Sequence, residues 1–354
     1  MNRRPSVGEI GRFLVPLDAP AALQWFRRNL YFPSSPSDRI FNALGRVPLR
    51  RVDPARALTD SALLLELMRD QPQLAGRNVD ATDWILLRDY DDTARERVIA
   101  FLFDRGAGEP FAVVKAQKAV PGGEANVRRE GEAVEQMRAL LPPRMRHTVP
   151  VVLRLDVDRR GELLATSVLP GHSGSVEVQS SLLPHRHIEQ HFDRATRWLA
   201  EFHTATRTNA EFEIAGKRLS MSACHGDFWI RNILYSDDTI GVVDWEQFTP
   251  SAPPFVDLFH FAIGYGLSYP WHRYRRADHE TWFRRTFVEK NRVSRAAHAS
   301  FVTYCTLTGI DSALLGPAFR EFVKTRGCMG TQGAPGSREF PWERFAQIAG
   351  DKFG

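Results

Sequence analysis

Asp227, Asn232 and Asp244 stand close together in one stretch of the chain, CHGDFWIRNILYSDDTIGVVDWE, residues 224–246. Two apolar runs, RNILY and TIGVVDW, are parted there by SDD, the pattern of a β-hairpin with a polar turn. A hairpin folds back on itself. It therefore carries Asp244, at the end of its second strand, back beside Asp227 and Asn232, on the loop before its first. Three oxygen-bearing side chains converging in this way suit magnesium, which demands hard oxygen ligands and keeps company with phosphates. Asn232 and Asp244 are suitable ligands, and Asp227 is then placed to take a proton from a hydroxyl nucleophile. Taken singly, each is an ordinary turn or cap residue. Taken together, with a lysine on a strand upstream, they read as a site.

The elements that must position these residues follow from periodicity. Residues 1–80 are Pro-punctuated, with helix-like pieces at PAALQWFRRNL and DSALLLELMRD, the second N-capped by Asp60. They are expected to pack on a small lobe or to cap a cleft. Residues 81–169 turn strand-rich. DWILLRDYDD (83–92), ERVIAFLFD (96–104) and PFAVVKAQ (110–117) predict an antiparallel meander. NVRREGEAVEQMRALL predicts a helix striped by Val127, Val134, Met137 and Leu141. PPRMRHTVP breaks it, and VVLRLDVD and GELLATSVL complete a five-stranded sheet that PGHSG ends. Residues 170–354 are helical in character. Ile188, Phe192, Ala195, Leu199 and Phe202 share one helix face, and four further helical patterns follow the hairpin. The expected plan is a small β-rich lobe joined to a larger helical one, and such joints commonly hold ligand clefts.

Composition narrows the function. The chain has 354 residues and a formal charge of +5, and no Lys/Arg block of the kind that makes a nucleic-acid arm. Its short basic patches, at His272–Arg276 and Val127–Glu130, read as solvated helix faces. Cys224, Cys305 and Cys328 are few, odd in number and far apart, so they form neither a disulfide framework nor a CxxC metal site. A reduced cytoplasm is the expected compartment. The N-terminus makes a poor secretory signal, and no apolar run is long enough for a membrane span.

HGDFWIRN followed by VVDWE resembles the HGDxxxxN … DWE pattern of the aminoglycoside phosphotransferase and choline kinase-like family, which has the protein-kinase-like fold. The resemblance covers residues from about 84 to about 260. It implies an α+β, two-lobed protein with an N-terminal helical extension (1–80), a nucleotide-binding lobe (81–169) and a catalytic and substrate-binding lobe (170–354). It makes Asp227 the catalytic base, Asn232 and Asp244 the magnesium ligands, and His225 the structural histidine of the loop. Lys115, in FAVVKAQ, resembles the strand lysine that meets the α- and β-phosphates, and Glu130 its helical ion-pair partner. Glu132 lies two residues on, on another helix face, so it cannot pair equally well. Ser167, Val168 and Leu169, in LLATSVLPG, resemble the hinge whose backbone meets the adenine. WLAEFH resembles the helix before the catalytic loop, and Asp257 a carboxylate that braces that loop. The cofactors implied are ATP, or GTP in its place, and magnesium.

The sequence departs from the pattern between its first two strands, where RDYDDTARER has no GxGxxG to bring backbone amides against phosphate. Thr93 or Arg95 would have to substitute. A pseudokinase that binds nucleotide or a protein partner is therefore the alternative to an active enzyme. Only thirteen steps separate Asp244 from Asp257, too few for a long activation loop, which argues against a regulated protein kinase. The acceptor expected is a hydroxyl of a small molecule: a sugar, an amino alcohol or an antibiotic-like compound. From Tyr265 onward the chain has 14 Lys/Arg against 8 Asp/Glu, which favours a neutral or anionic acceptor over a polycationic one unless these arginines are ordinary surface. Trp245, Trp271, Tyr274 and Trp282 could stack on a sugar or serve as core.

Overall fold

The computed structural model describes residues 7–31, 47, 49–53, 73–74, 76–78, 82–90, 96–119, 126–157, 159–180, 184–237, 239–269, 279–328, 344–345 and 347–348. The DSALLLELMRD segment, Thr93, Arg95, Trp271, Tyr274 and the 330–341 tail lie outside them. The chain divides into two compact units, Met1–Ala139 with Val149–Leu169, and Leu140–Thr148 with Pro170–Gly354. It is mixed α+β, with an antiparallel sheet in the first unit and helices dominating the second.

The first unit is built on one sheet. Its strands are β1 (Val7–Ile10), β2 (Phe13–Pro16), β3 (Arg50–Val52), β6 (Thr82–Tyr90), β7 (Glu96–Asp104), β8 (Pro110–Lys118), β9 (Val152–Val157) and β10 (Gly161–Ser167), and β4 (Gln73–Leu74) pairs separately with β5 (Arg77–Asn78). The order is β3-β1-β2-β6-β7-β8-β10-β9, antiparallel throughout. Strands β6 to β10 are the expected five. Their side chains alternate, so Leu86, Val98, Ala100, Ala112, Val114, Ala116, Leu163 and Ala165 form a buried apolar layer on one face.

Among the described residues the N-terminal segment is strand as well as helix: α1 (Pro20–Asn29) forms, and β1, β2 and β3 extend the sheet beyond β6. Helix α1 sets Trp25 against Phe101 and Phe103, with ring centroids 5.1 and 5.4 Å apart, and Phe26 against Phe13. Burial of these rings makes the N-terminal segment part of this unit's core.

Helix α2 (Asn126–Leu140) buries Val127, Gly131, Val134 and Met137 on the stripe the sequence predicts. At Gly131 the helix meets the sheet closely: a Cβ there would lie 3.1 Å from Leu155 and 3.2 Å from Leu164. This contact lets α2 settle low on the sheet.

The second unit contains β11 (His172–Ser173), α3 (Gly174–Ser180), α4 (Ile188–Ala205), β12 (Arg207–Ile214), β13 (Lys217–Cys224), β14 (Ile233–Tyr235), β15 (Ile240–Val242), β16 (Thr249–Ala252), α5 (Val256–Ser268), α6 (His279–Phe287), α7 (Arg292–Thr308) and α8 (Leu315–Cys328). Strands β14 and β15 are the expected hairpin, with β11 added to its edge. A second ribbon, β12-β13-β16, leads into the 224–232 loop. Helix α7 is closed at both ends. Asn291 and Ser294 form a reciprocal capping box, and Gly309 takes the left-handed conformation after it, with φ 71°. The core is aromatic. Trp245, beside Trp198 and Phe202, and Trp282, beside Phe283 and Phe345, are fully buried, so these two tryptophans are packing residues. Among the described residues no helix is long and apolar enough to cross a membrane.

Candidate active site

Gly226 begins the loop that carries Asp227. Its φ is +82°, and a Cβ there would stand 2.3 Å from the Gln247 carbonyl oxygen. Only glycine accepts both conditions. Replacing Gly226 by Ala is expected to destabilise the protein by about 2 kcal/mol or more, read as a lower urea midpoint. A midpoint unchanged within error would mean the loop takes another path.

After Gly226 the chain wraps around Asp227. The Trp229 amide donates to the Asp227 carbonyl at 2.7 Å, and the Asn232 amide to the Trp229 carbonyl at 2.8 Å. These bonds close a single 3-10 turn, Ile230–Asn232, which presents Asn232 to Asp227. The Asn232 side-chain Nδ2 donates to Asp227 Oδ2 and to its carbonyl, both at 2.9 Å. Arg231 Nη2 donates to the same Oδ2 at 3.1 Å. Asp227 keeps a side chain one-fifth exposed, so a solute can reach its carboxylate.

The hairpin register supplies the return. Ile233 pairs with Val242, and the Val243 amide donates to the Asn232 carbonyl at 3.0 Å. Asp244 is the next residue, in the left-handed conformation with φ 69°. Asp tolerates that conformation better than most residues. It turns the chain sharply at the end of β15 and into the Trp245–Gln247 turn.

Two buried groups fix this frame. His225 is fully buried and donates from Nε2 to the Val243 carbonyl at 3.0 Å, while its Nδ1 accepts the Asp227 amide at 3.2 Å. One imidazole thus ties the backbone beside Asp227 to the backbone beside Asp244. Asp257, at the start of α5, is also fully buried. Its Oδ2 accepts the His225 amide at 2.7 Å, and its Oδ1 accepts the Gly226 amide at 2.9 Å and the Cys224 thiol at 3.2 Å. His203 Nε2, from α4, lies 3.5 Å from Oδ2, and its Nδ1 meets the Tyr304 hydroxyl of α7 at 2.6 Å. Burial favours the neutral acid. The hydrogen bond with His203 and the electrostatic effect of His203, His225 and His260 outweigh it and hold the Asp257 carboxyl well below the usual carboxylate range.

In the first unit, Lys115 Nζ meets Glu130 Oε1 and Oε2 at 2.8 and 2.7 Å. Glu130 occupies the buried stripe of α2 at 4% exposure, where a carboxylate is stable only with such a partner. Glu132 points elsewhere and pairs with Arg128 at the exposed surface. Ser167 ends β10, and its Oγ accepts the Val151 amide at 2.9 Å. Val168 follows, and buried Leu169 is the last residue of the unit.

Asn232 and Asp244 carry oxygen donors of the chemical type that magnesium takes when phosphate and water complete its shell. The Asn232 NH2 is engaged by Asp227, which leaves the amide oxygen Oδ1 as the donor toward a cation. Asp244 follows β15, the returning strand. No cluster of three or more His, Cys, Asp or Glu suited to a metal occurs among the described residues. A cavity of ≈ 450 Å³ lies at the turn end of the β14–β15 hairpin, lined by His172, Glu177, His191, Arg194 and Tyr235, and includes none of the residues above.

Sequence reasoning passed over His203, Tyr304 and Arg231. His203 was open to it, since it stands four residues after Leu199 on the buried face of α4. Tyr304 and His203 are 101 residues apart, so no local pattern joins them. Arg231 lies within HGDFWIRN, four residues after Asp227, a spacing that suits an ion pair.

Comparison with known proteins bears on the same segment. Residues 215–291 match the phosphotransferase enzyme family. The resemblance noted from HGDFWIRN and VVDWE therefore holds where those motifs lie. No protein of curated function shows significant similarity to the chain. Among solved structures, an aminoglycoside phosphotransferase from Streptomyces rimosus in complex with ADP and streptomycin is similar at 16% identity and a TM-score of 0.43, over 71% of this chain and 92% of that one. An aminoglycoside-3'-phosphotransferase of type VIII is similar at 14% identity and 0.43, over 82% and 97%. A bifunctional kinase-methyltransferase is similar at 14% and 0.34, over 59% and 42%.

Proposed function

We propose that this chain is a magnesium-requiring phosphotransferase that moves the γ-phosphate of ATP, or of GTP, to a hydroxyl of a small molecule. The observation that carries the reading is the Asp227–Asn232 pair, joined at 2.9 Å on a loop that backbone bonds and His225 tie to the segment bearing Asp244. Asp227 accepts the proton of the acceptor hydroxyl, and Asn232 holds Asp227 in one orientation. Asn232 and Asp244 would hold magnesium, which when bound would neutralise charge on the phosphates. Lys115, held by Glu130, takes the α- and β-phosphates, and the backbone of Ser167, Val168 and Leu169 takes the adenine. His225 and Asp257 keep the loop rigid, so transfer proceeds by positioning more than by covalent chemistry. Cys224 and Cys305 are buried cysteines held in no disulfide, which suits a reducing cytoplasm.

The test is transfer of labelled γ-phosphate, with and without magnesium, to pools of sugars, sugar phosphates, hydroxy acids, amino alcohols and aminoglycosides. Magnesium-dependent labelling of one pool is expected. Tight nucleotide binding with no labelling of any pool would turn the reading toward a nucleotide-binding pseudokinase. Asp244→Ala is expected to weaken nucleotide binding in magnesium by on the order of ten-fold or more, measured by calorimetry. Equal affinity for wild type and variant would remove Asp244 from the ligand set.

A further inference from the structure

Arg231 has no part in the mechanism above, yet its guanidinium lies against the candidate base. Nη2 is 3.1 Å from Asp227 Oδ2. That same oxygen already receives Asn232 Nδ2 at 2.9 Å, so the orientation of Asp227 has a second support that does not depend on Arg231. The arginine side chain is 60% exposed, so it lies at the surface beside Asp227. Its position is also prepared. The guanidinium carbon lies 5.4 Å from the centroid of the Trp229 ring, a cation–π distance. Trp229 in turn is pressed against α5, where a Cβ on Gly264 would stand 3.1 Å from its ring. The arginine thus lies on a fixed aromatic shelf rather than on a free surface.

We propose that Arg231 is a specificity-determining residue, and that the acceptor carries an anionic oxygen group, a phosphate or a carboxylate, near the hydroxyl that is phosphorylated. The inference rests on the reading that Asp227 receives that hydroxyl. A molecule that brings a hydroxyl to the Asp227 carboxylate also brings its neighbouring substituents to a guanidinium 3.1 Å from that carboxylate. An ammonium group there meets a like charge, whereas a phosphate or carboxylate meets a planar donor fork suited to it. The excess of basic residues from Tyr265 onward, 14 Lys/Arg against 8 Asp/Glu, has the same sign.

The experiment has two arms, each run on wild type and on Arg231→Gln, whose exposed position should leave the melting temperature unchanged. In the first, inorganic phosphate is titrated and followed by tryptophan fluorescence and calorimetry. Wild type is expected to bind it on the order of ten-fold tighter than Arg231→Gln. Equal binding, or none by either protein, overturns the proposal. In the second, labelled γ-phosphate transfer is measured across the acceptor pools. Labelling is expected in the sugar-phosphate or hydroxy-acid pool. Arg231→Gln is expected to raise KM for that acceptor about ten-fold or more, with kcat within about three-fold and nucleotide affinity unchanged. Labelling confined to the amino-alcohol or aminoglycoside pools overturns the proposal and leaves the phosphotransferase reading standing. No labelling at all, with phosphate binding lost in Arg231→Gln, counts against the phosphotransferase reading and upholds Arg231 as an anion-recognising residue.

Discussion

Asp227→Asn is expected to lower kcat for phosphate transfer about a thousand-fold, within the range that a positioned general base contributes, and to leave nucleotide affinity within about two-fold. The substitution is isosteric. The new side-chain oxygen still accepts from Asn232 Nδ2, and the backbone bonds that shape the loop are untouched. What is lost is a carboxylate oxygen able to take a proton. The melting temperature should therefore stay close to wild type, and the defect should lie in kcat rather than in binding. Single-turnover transfer, with the nucleotide dissociation constant measured beside it, reads both. Wild-type turnover by the variant would remove Asp227 from the role of base. Equal loss of nucleotide binding would show that Asp227 serves the nucleotide instead of the acceptor.

The sequence carried that prediction because the hairpin obeys local rules. Apolar runs of strand length, a polar turn and three oxygen side chains at its open end are all short-range signals. The same holds for β6 to β8, for α2 with its Val127–Val134–Met137 stripe, and for α4. Glu130 was legible only through the resemblance, as the helical partner of the strand lysine, and its carboxylate lies 2.7 Å from Lys115 Nζ.

What was not legible has physical causes. The β12–β13 hairpin turns through Ala215 and Gly216, both at positive φ, 48° and 72°. A turn of this kind is usually announced by Asn-Gly or Asp-Gly, and Ala in the first place hides it. Strands β1 to β3 are only three or four residues long, too short to show a period, and the pairings of β2 with β6 and of β1 with β3 are long-range. The Tyr304–His203–Asp257 contact assembles residues from α7, α4 and α5, so only the folded chain displays it.

Asp257→Asn should cost about 3 kcal/mol or more of stability at neutral pH, because it leaves buried donors without an acceptor. In the wild type one carboxylate oxygen takes the His225 amide with His203 beside it, and the other takes the Gly226 amide and the Cys224 thiol. An asparagine offers a single oxygen, so its NH2 must face donors on the other side, in a fully buried place. The pH dependence has a definite sign. The native carboxyl ionises below its ordinary value of 3.8, so the unfolded chain binds more protons across the interval between the two. The stabilisation is full above the unfolded value and is lost as pH falls through the interval toward the native one. Asparagine cannot titrate, so the variant lacks that slope. The gap in urea midpoint between wild type and Asp257→Asn should therefore be widest near pH 7 and should narrow at pH 3. A gap constant between the two pH values would mean that the carboxylate contributes by shape and not by charge. Arrangements that hold Asp227 through His225 and Gly226 would then owe their rigidity to the imidazole bridge between Val243 and Asp227.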